Sequence, residues 1–123
     1  GVVDKPIARH KTDRKKMAII EGGREAVTHY QVIKRYHGYT HLSFQLETGR
    51  THQIRVHMAS LGHPIIGDPL YGLKKDRFSS IGGQCLHAAR LTLRHPKTGE
   101  LMEFCAPLPL YFTEILAKLE RME

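Results

Sequence analysis

The sequence reads TGRTHQIRVH from Thr48 to His57, then GHP from Gly62 to Pro64 and GDPLYG from Gly67 to Gly72. Two arginines, three histidines and a glutamine therefore lie within 25 residues that glycine and proline repeatedly interrupt. Polar recognition groups at this density are typical of a surface that meets an anion, whereas a packed core would need more apolar residues. The stretch predicts an anion-binding site.

A helix is predicted shortly after Gly49. Thr51 can cap its N-terminus, and apolar residues then recur at helical spacing until glycine and proline end the pattern. The apolar stripe, which we expect to face the core, consists of Ile54, Met58 and Leu61. His52 and Arg55 fall on a neighbouring stripe, so both can reach one spot just beyond the helix N-terminus, where free backbone N–H groups attract phosphate.

The charge of the chain indicates the kind of anion. Nineteen Lys and Arg against twelve Asp and Glu give a net charge of +7 over 123 residues. Nucleic acid is favoured over a membrane because no run approaches the ~20 apolar residues needed to span a bilayer. An ordinary basic surface is the alternative. No signal peptide is recognisable, so we expect a cytoplasmic protein.

The sequence gives little support for a metal site or for a catalytic acid. His52 and His57 are five residues apart and would diverge by roughly 140° on a helix, so they and His63 do not suggest a metal site. Asp68 lies between glycine and proline, as turn formation requires, which argues against a catalytic acid. Two cysteines, Cys85 and Cys105, are too few for a disulfide scaffold, and we expect reduced, buried thiols.

The remaining segments predict one α+β domain with a mixed, mainly antiparallel sheet and flanking helices. Ile7 to Met17 is so basic that we interpret it as a loop, either solvated or facing RNA. Alternating apolar residues predict four strands in two hairpins, and a final amphipathic helix follows. The strands are expected at Ala26–Tyr36, from Gly38 to Leu46, at Leu86–Leu93 with Leu91 and Leu93 on one face, and at Leu101–Phe104; the helix carries Phe112, Ile115, Leu116 and Leu119.

At this point the chain resembles the RluA/RluD-type ribosomal large-subunit pseudouridine synthases. The resemblance rests on the Thr48–His57 stretch and the GHP and GDPLYG segments, followed by Leu86-His87-Ala88 and Ala106-Pro107-Leu108-Pro109 in the family's order. It covers essentially all of residues 1–123 and implies the C-terminal portion of a catalytic domain that isomerises uridine in RNA, with ribosomal RNA as the expected partner. It implies no cofactor and no metal.

The resemblance also implies roles for residues. The family's catalytic Asp lies in a His-Arg-Leu-Asp segment followed by Thr-Ser-Gly, and its active-site Tyr follows on a nearby strand. Neither segment occurs in this sequence, so we expect the chain alone to be inactive. Arg55 corresponds to the arginine that pairs with that Asp, and we expect it here to be free for solvent anions. The substrate-side or scaffold residues implied are Arg50, Thr51, His52, Gln53, His57 and Leu86.

Other interpretations remain open at the level of sequence. A non-catalytic RNA-binding module could reuse the same fold and would keep the same basic surface. A metal-dependent hydrolase that uses the histidines is a weaker alternative. If strands of a larger sheet lie outside this chain, an exposed sheet edge should favour self-association.

Overall fold

The structure of the chain is a computed structural model that describes residues 1–73, 76–78, 83–94 and 96–122. All strand pairs in these ranges are antiparallel, which confirms the predicted α+β class. The strands are β1 (Val2–Asp4), β2 (Ile7–Arg9), β3 (Met17–Ile19), β4 (Val27–Tyr36), β5 (Tyr39–Leu46), β6 (Arg90–Arg94) and β7 (Leu101–Cys105), and the helices are α1 (Gln53–Ser60) and α2 (Leu110–Arg121).

The longest feature is the hairpin of β4 and β5, which the alternating apolar pattern predicted. His37 and Gly38 form a two-residue loop between the paired residues Tyr36 and Tyr39. Gly38 has φ +76°, a conformation that such hairpin loops require and that side chains disfavour. β1 pairs with the other side of β4, so the strand order of this sheet is β1-β4-β5.

The basic segment from Ile7 to Met17 is not only a loop, and that expectation was wrong at both of its ends. Ile7 begins β2, pairs with Ile19 of β3 and is buried in the core. The N–H of His10 donates to the carbonyl of Lys16 and closes a loop over residues 10–16. The flanking apolar residues decide the structure here because they bury surface, while the charged residues between them remain in solvent.

Helix α1 begins later than expected and buries a different face. Thr51 does not cap it; His52 stands at the N-terminal boundary in a left-handed conformation, with no side-chain cap. Leu61 of the expected stripe is 38% exposed. Met58 of that stripe is buried as expected, but the other buried residues are Gln53, Val56 and His57. The pattern misled because Gln53 and His57 are polar, yet their hydrogen bonds are satisfied inside the protein.

Two apolar clusters lie at opposite ends of the β4–β5 hairpin. The first joins Ile7, Ala26 and Val56, so it fixes β2 and the start of β4 against α1. The second joins Phe78 to Ile115 and Leu119 of α2, with Tyr36 and Tyr39 packed against them. The predicted final helix is thus confirmed, and its stripe covers the hairpin end that α1 leaves open.

The C-terminal hairpin was predicted correctly at its turn and its second strand. Residues 96–98 form turns, and Gly99 with φ +73° follows before β7. The first strand begins at Arg90 and not at Leu86, because residues 83–89 run in irregular backbone. The expected facing of Leu91 and Leu93 lies outside what the structure describes.

The two cysteines differ in their surroundings. Cys105 is exposed, which corrects the expectation of two buried thiols, while Cys85 is half-buried and burial raises the pKa of its thiol to about 11. Neither thiol forms a disulfide. In the described ranges, both helices are too short and polar to cross a membrane.

Candidate functional site

A buried ion pair joins α1 to the turn that follows it. Nε of Arg55 donates to Oδ2 of Asp68 and Nη2 donates to Oδ1, both at 2.9 Å. The Asp68 side chain is fully buried and that of Arg55 is 11% exposed. Arg55 therefore already has a carboxylate partner within this chain, which corrects the expectation from sequence that it would be unpaired. Asp68 of the GDPLYG turn thus binds one edge of the Arg55 guanidinium.

The turn itself is built around Asp68, as its position between glycine and proline predicted. Oδ1 of Asp68 also accepts the backbone N–H groups of Leu70 and Tyr71, at 2.9 Å and 3.0 Å. Gly72 closes the turn, because a Cβ there would lie 2.2 Å from the carbonyl oxygen of Asp68. One carboxylate thus organises the turn and holds Arg55.

The electrostatics of the pair follow from these contacts. Burial alone would raise the pKa of Asp68, but hydrogen bonds from Arg55 and from the N–H groups of Tyr71 and Leu70 lower it below its ordinary value. The hydrogen bond to Asp68 likewise raises the pKa of Arg55. Both groups are charged at neutral pH, and each partner compensates the other's desolvation.

Tyr71 contacts Met17, His52 and Arg55 near the start of α1. Its hydroxyl oxygen accepts the N–H of Met17 at 2.7 Å and lies 2.8 Å from Nδ1 of His52. The Tyr71 hydroxyl and Nδ1 of His52 share one hydrogen bond, whose direction depends on which ring nitrogen of His52 carries the proton. The Arg55 guanidinium carbon lies 5.1 Å from the centroid of the Tyr71 ring, within cation–π range. The expectation that His52 and Arg55 reach one spot is confirmed, and Tyr71 occupies it.

His52 is unusual in backbone and in charge. Its φ of +56° is the only positive value among the described residues other than glycine. Burial and the nearby Arg55 lower the pKa of its imidazole, Asp68 opposes this, and Arg9 lowers it further. A neutral ring at neutral pH can accept the Tyr71 proton and still present Nε2–H to a ligand. Left-handed conformations of non-glycine residues concentrate at functional sites.

Gln53 makes every hydrogen bond its amide permits, all inside the protein. Its Oε1 accepts from Oγ1 of Thr48 at 2.8 Å and from the N–H of Arg50 at 2.9 Å. Its Nε2 donates to the carbonyl of Val27 at 3.0 Å and to Oγ1 of Thr28 at 2.9 Å. Since Gln53 is also buried, it ties the first turn of α1 to β4 and keeps no polar atom for RNA.

The buried network continues through Thr28 to His57. Oγ1 of Thr28 lies 2.8 Å from Nδ1 of His57, and Nε2 of His57 lies 2.9 Å from the carbonyl oxygen of Lys5. The carbonyl can only accept, so His57 donates from Nε2 and Thr28 donates to Nδ1. His57 is fully buried. The resemblance implied either a substrate-side role or a scaffold role for Gln53 and His57, and these internal contacts fit the scaffold role.

The other predicted site residues are spread around this cluster. Nε of Arg50 donates to the carbonyl of Glu25 at 2.7 Å, and Thr51 is exposed. Leu86 is half-buried, and its carbonyl accepts the Tyr111 hydroxyl at 3.4 Å. No described contact joins Leu86 to Arg55 or His52. Within the described ranges, no three His, Cys, Asp or Glu side chains are grouped as a metal ion would require.

The segment that we interpreted from sequence as a solvated or RNA-facing loop lies beside this site as a hairpin, which we call the basic hairpin and define as β2, β3 and the loop at residues 10–16. Its loop is ordered, because Nδ1 of His10 accepts the N–H of Asp13 at 2.9 Å and Oδ1 of Asp13 accepts that of Lys15 at 3.1 Å. Tyr71 attaches β3 to α1 through Met17. The exposed cations on this hairpin are Arg9, Lys11, Arg14 and Lys15. They form a positively charged surface on this hairpin.

Known proteins resemble this chain in sequence and in fold. The family model described as RNA pseudouridylate synthase matches residues 1–60. Ribosomal large subunit pseudouridine synthase D of Pasteurella multocida (strain Pm70) is 47% identical over 131 residues, which cover 98% of this chain and 40% of the relative. An uncharacterized RNA pseudouridine synthase of Chloroflexus aurantiacus (strain ATCC 29366 / DSM 635 / J-10-fl) is 48% identical over 120 residues, which cover 98% of this chain and 38% of the relative.

A solved structure shares the fold. Human RNA pseudouridylate synthase domain containing 1 superposes with a TM-score of 0.71 at 26% identity, covering 98% of this chain and 59% of the human one. The chain spans about 40% of the length of the curated relatives it matches. Both the sequence and the fold of the chain are similar to those of RNA pseudouridine synthases.

Proposed function

We propose that this chain is the C-terminal portion of the catalytic domain of an RNA pseudouridine synthase, which isomerises specific uridines in RNA to pseudouridine. The observation that carries the proposal is the geometry of Arg55. Asp68 and the Tyr71 ring hold its guanidinium rigidly through Nε, Nη2 and the ring face. Among the described residues, no acceptor engages Nη1, so one edge remains for a second anion.

That second anion is proposed to be the catalytic Asp of the family, supplied by a segment that this sequence does not contain. A carboxylate beside Nη1 of Arg55 would be kept ionised and oriented, as an Asp that attacks or stabilises the reacting ribose or base must be. Asp68 would then act as the structural partner of the same arginine. The 123-residue chain alone is expected to lack isomerase activity for this reason.

The RNA itself is proposed to lie along the basic hairpin and the start of α1. Arg50, Thr51 and His52 are the side chains proposed to contact it, and Leu86 is proposed to pack near the target base. Gln53 and His57 support this surface from inside. Ribosomal RNA is the proposed substrate and the cytoplasm the proposed location, because relatives at 47% identity carry names that specify the ribosomal large subunit.

A non-catalytic RNA-binding module is the second candidate. It is favoured by one observation, the ordered loop of the basic hairpin with exposed Lys11, Arg14 and Lys15, which could bind RNA without a catalytic group. Both candidates predict that RNA binding weakens steeply with salt, because each neutralised phosphate releases counterions. A binding constant that does not change with salt would contradict both.

Tritium release tests the assignment. Isomerisation forms the new glycosidic bond at carbon 5 of uracil, so ribosomal RNA labelled with tritium at that carbon loses its label on turnover. We expect no release by the 123-residue chain and release when the chain is fused to the Asp-bearing segment of a family member. Release that also persists after Arg55→Ala in the fusion would refute the role of Arg55, and robust release by the chain alone would refute its expected inactivity.

A further inference from the structure

A second positively charged surface lies at the other end of the molecule. It is a cavity of about 230 Å³, formed where the segment before β6 meets the end of α2. Its lining residues are Arg77, Phe78, Lys118, Arg121 and Met122. We refer to it as the α2 cavity. Phe78 belongs to the second apolar cluster and Met122 packs against it, so the floor of the cavity is part of the core.

The three cations of the α2 cavity have no acidic partner among the described residues. Lys118 and Arg121 are exposed and lie three residues apart on α2, where like charges repel each other. The nearby Glu120 is already paired with Lys34. Asp76, beside Arg77 in sequence, points its carboxylate to the backbone, with Oδ2 accepting the N–H of Gly67 at 2.6 Å and Oδ1 that of Phe78 at 2.8 Å.

The helix dipole explains only part of this arrangement. Cations in the last turn of a helix are favourable, which accounts for Lys118 and Arg121 without any ligand. Arg77 comes from a separate segment and brings a third positive charge to the same cavity. An anion placed among the three would relieve their mutual repulsion, and each exposed cation can approach it without desolvation of a core group.

We propose that the α2 cavity binds a backbone phosphate of the RNA, at a second contact distinct from the surface around Arg55. The inference rests on the proposed RNA-binding function and adds to it a contact at the opposite end of the β4–β5 hairpin. Ten residues of β4 separate the two apolar clusters, so the two surfaces lie on the order of 30 Å apart, at about 3.3 Å per strand residue. An RNA that reaches both must extend well beyond the target uridine.

The test compares two triple variants that remove equal charge. The first variant replaces the three cationic side chains that line the α2 cavity and is Arg77→Gln/Lys118→Gln/Arg121→Gln. Arg24→Gln/Arg35→Gln/Arg90→Gln removes three exposed cations elsewhere and serves as the matched control. The affinity of each protein for a ribosomal RNA stem-loop is measured as a function of salt, after circular dichroism has established that both variants fold. The cavity variant should bind roughly tenfold more weakly and lose about one unit of salt slope, whereas the control should change much less.

The other outcomes separate the inference from the proposed function. If the unsubstituted chain binds RNA and both variants weaken equally, or neither weakens, the α2 cavity is not an RNA contact while the main surface stands. If the unsubstituted chain does not bind RNA, the proposed RNA surface and this inference both fall. In a second arm, inorganic phosphate is titrated and backbone amide signals are followed by NMR. Shifts at Arg77 and Arg121 with phosphate, without any loss of RNA affinity in the cavity variant, would identify a free-anion site and overturn the RNA assignment.

Discussion

Arg55 and Asp68 show how a single residue pair can decide the character of a site. The two are thirteen positions apart in sequence, and both charged groups are largely removed from water. Such a pair contributes little net stability compared with apolar residues of the same size, but removal of one partner leaves a desolvated charge. The main consequence of the pair is therefore a fixed position for the Arg55 guanidinium, and the proposed reaction depends on that position.

Asp68→Asn should destabilise the chain by roughly 2 to 4 kcal/mol, below the full cost of an isolated buried charge because Arg55 is 11% exposed. Asn keeps an oxygen that can accept the N–H groups of Leu70 and Tyr71, but it removes the charge and the acceptor that Nε of Arg55 uses. Urea unfolding measures the change. Asp68→Ala, which also removes the turn contacts, should destabilise the chain as well, and unchanged stability in both variants would contradict the pairing described here.

The same pair predicts a dependence of stability on pH. The pKa of Asp68 is lower in the folded chain than its ordinary value near 4, so the folded state binds fewer protons than the unfolded state in this range. The stabilisation is fully present above about pH 4 and is lost as the pH falls through the lower, folded value. The free energy of unfolding, measured from about pH 5 to about pH 2.5, should fall less steeply for Asp68→Asn than for the unsubstituted chain. Equal slopes would contradict the prediction.

At the scale of elements, α1 is attached to the sheet by polar contacts as much as by apolar ones. Its inward face carries Gln53 and His57 beside Val56, and the hydrogen bonds of these two side chains reach β4 and the segment between β1 and β2. Such a network is specific because its buried donors and acceptors are paired with one another in a single arrangement, and loss of a member weakens the pairing of its neighbours. The helix is consequently held in one rotation, which directs His52 and Arg55 toward the turn.

Gln53→Ala tests this attachment. It removes four hydrogen bonds and leaves the Arg50 N–H without the acceptor that Gln53 provides, and we expect a loss of about 2 to 4 kcal/mol in the free energy of unfolding. Gln31→Ala, at an exposed position of β4, is the control and should change stability by less than about 0.5 kcal/mol. Similar losses for the two variants would show that the buried network is not what holds α1.

Tyr71→Phe tests the link between the basic hairpin and α1. The variant keeps the ring beneath Arg55 but removes the hydroxyl that accepts from Met17 and contacts His52. We expect a loss of about 1 to 2 kcal/mol and faster hydrogen exchange at the Met17 amide. Tyr39→Phe is the control, because the Tyr39 hydroxyl makes no hydrogen bond with a described residue. Unchanged exchange at Met17 would refute the link.

At the scale of the whole molecule, the sheet leaves apolar groups exposed. β1 and β5 are the outer strands of the three-stranded sheet within the part of the chain that the structure describes. Large apolar side chains stand in water on these strands and on β4 between them, at Val2, Ile33 and Leu46. Open strand edges with apolar neighbours are favourable places for another strand to pair.

We therefore expect the 123-residue chain to self-associate, as its sequence suggested. Sedimentation velocity should show a weight-average mass that rises with protein concentration. Leu46→Lys places a charge on β5 and should keep the chain monomeric at concentrations where the unsubstituted chain associates. A monomer for the unsubstituted chain at every concentration measured would contradict the prediction.

The sequence by itself determined the fold class, the β4–β5 hairpin, the final helix and the turn at Asp68, because these depend on local periodicity and on turn chemistry. It also indicated that His52 and Arg55 share a location, although the helical spacing used for that prediction does not hold, because His52 precedes α1 in a left-handed conformation and the two side chains meet at Tyr71. The tertiary structure alone decided that Arg55 is paired and that Gln53 and His57 are internal. The attachment of the basic hairpin to Tyr71 likewise appears only in the tertiary structure. Those outcomes depend on partners 13 to 54 residues away in the chain, and a local pattern carries no information about which distant group will satisfy a polar side chain.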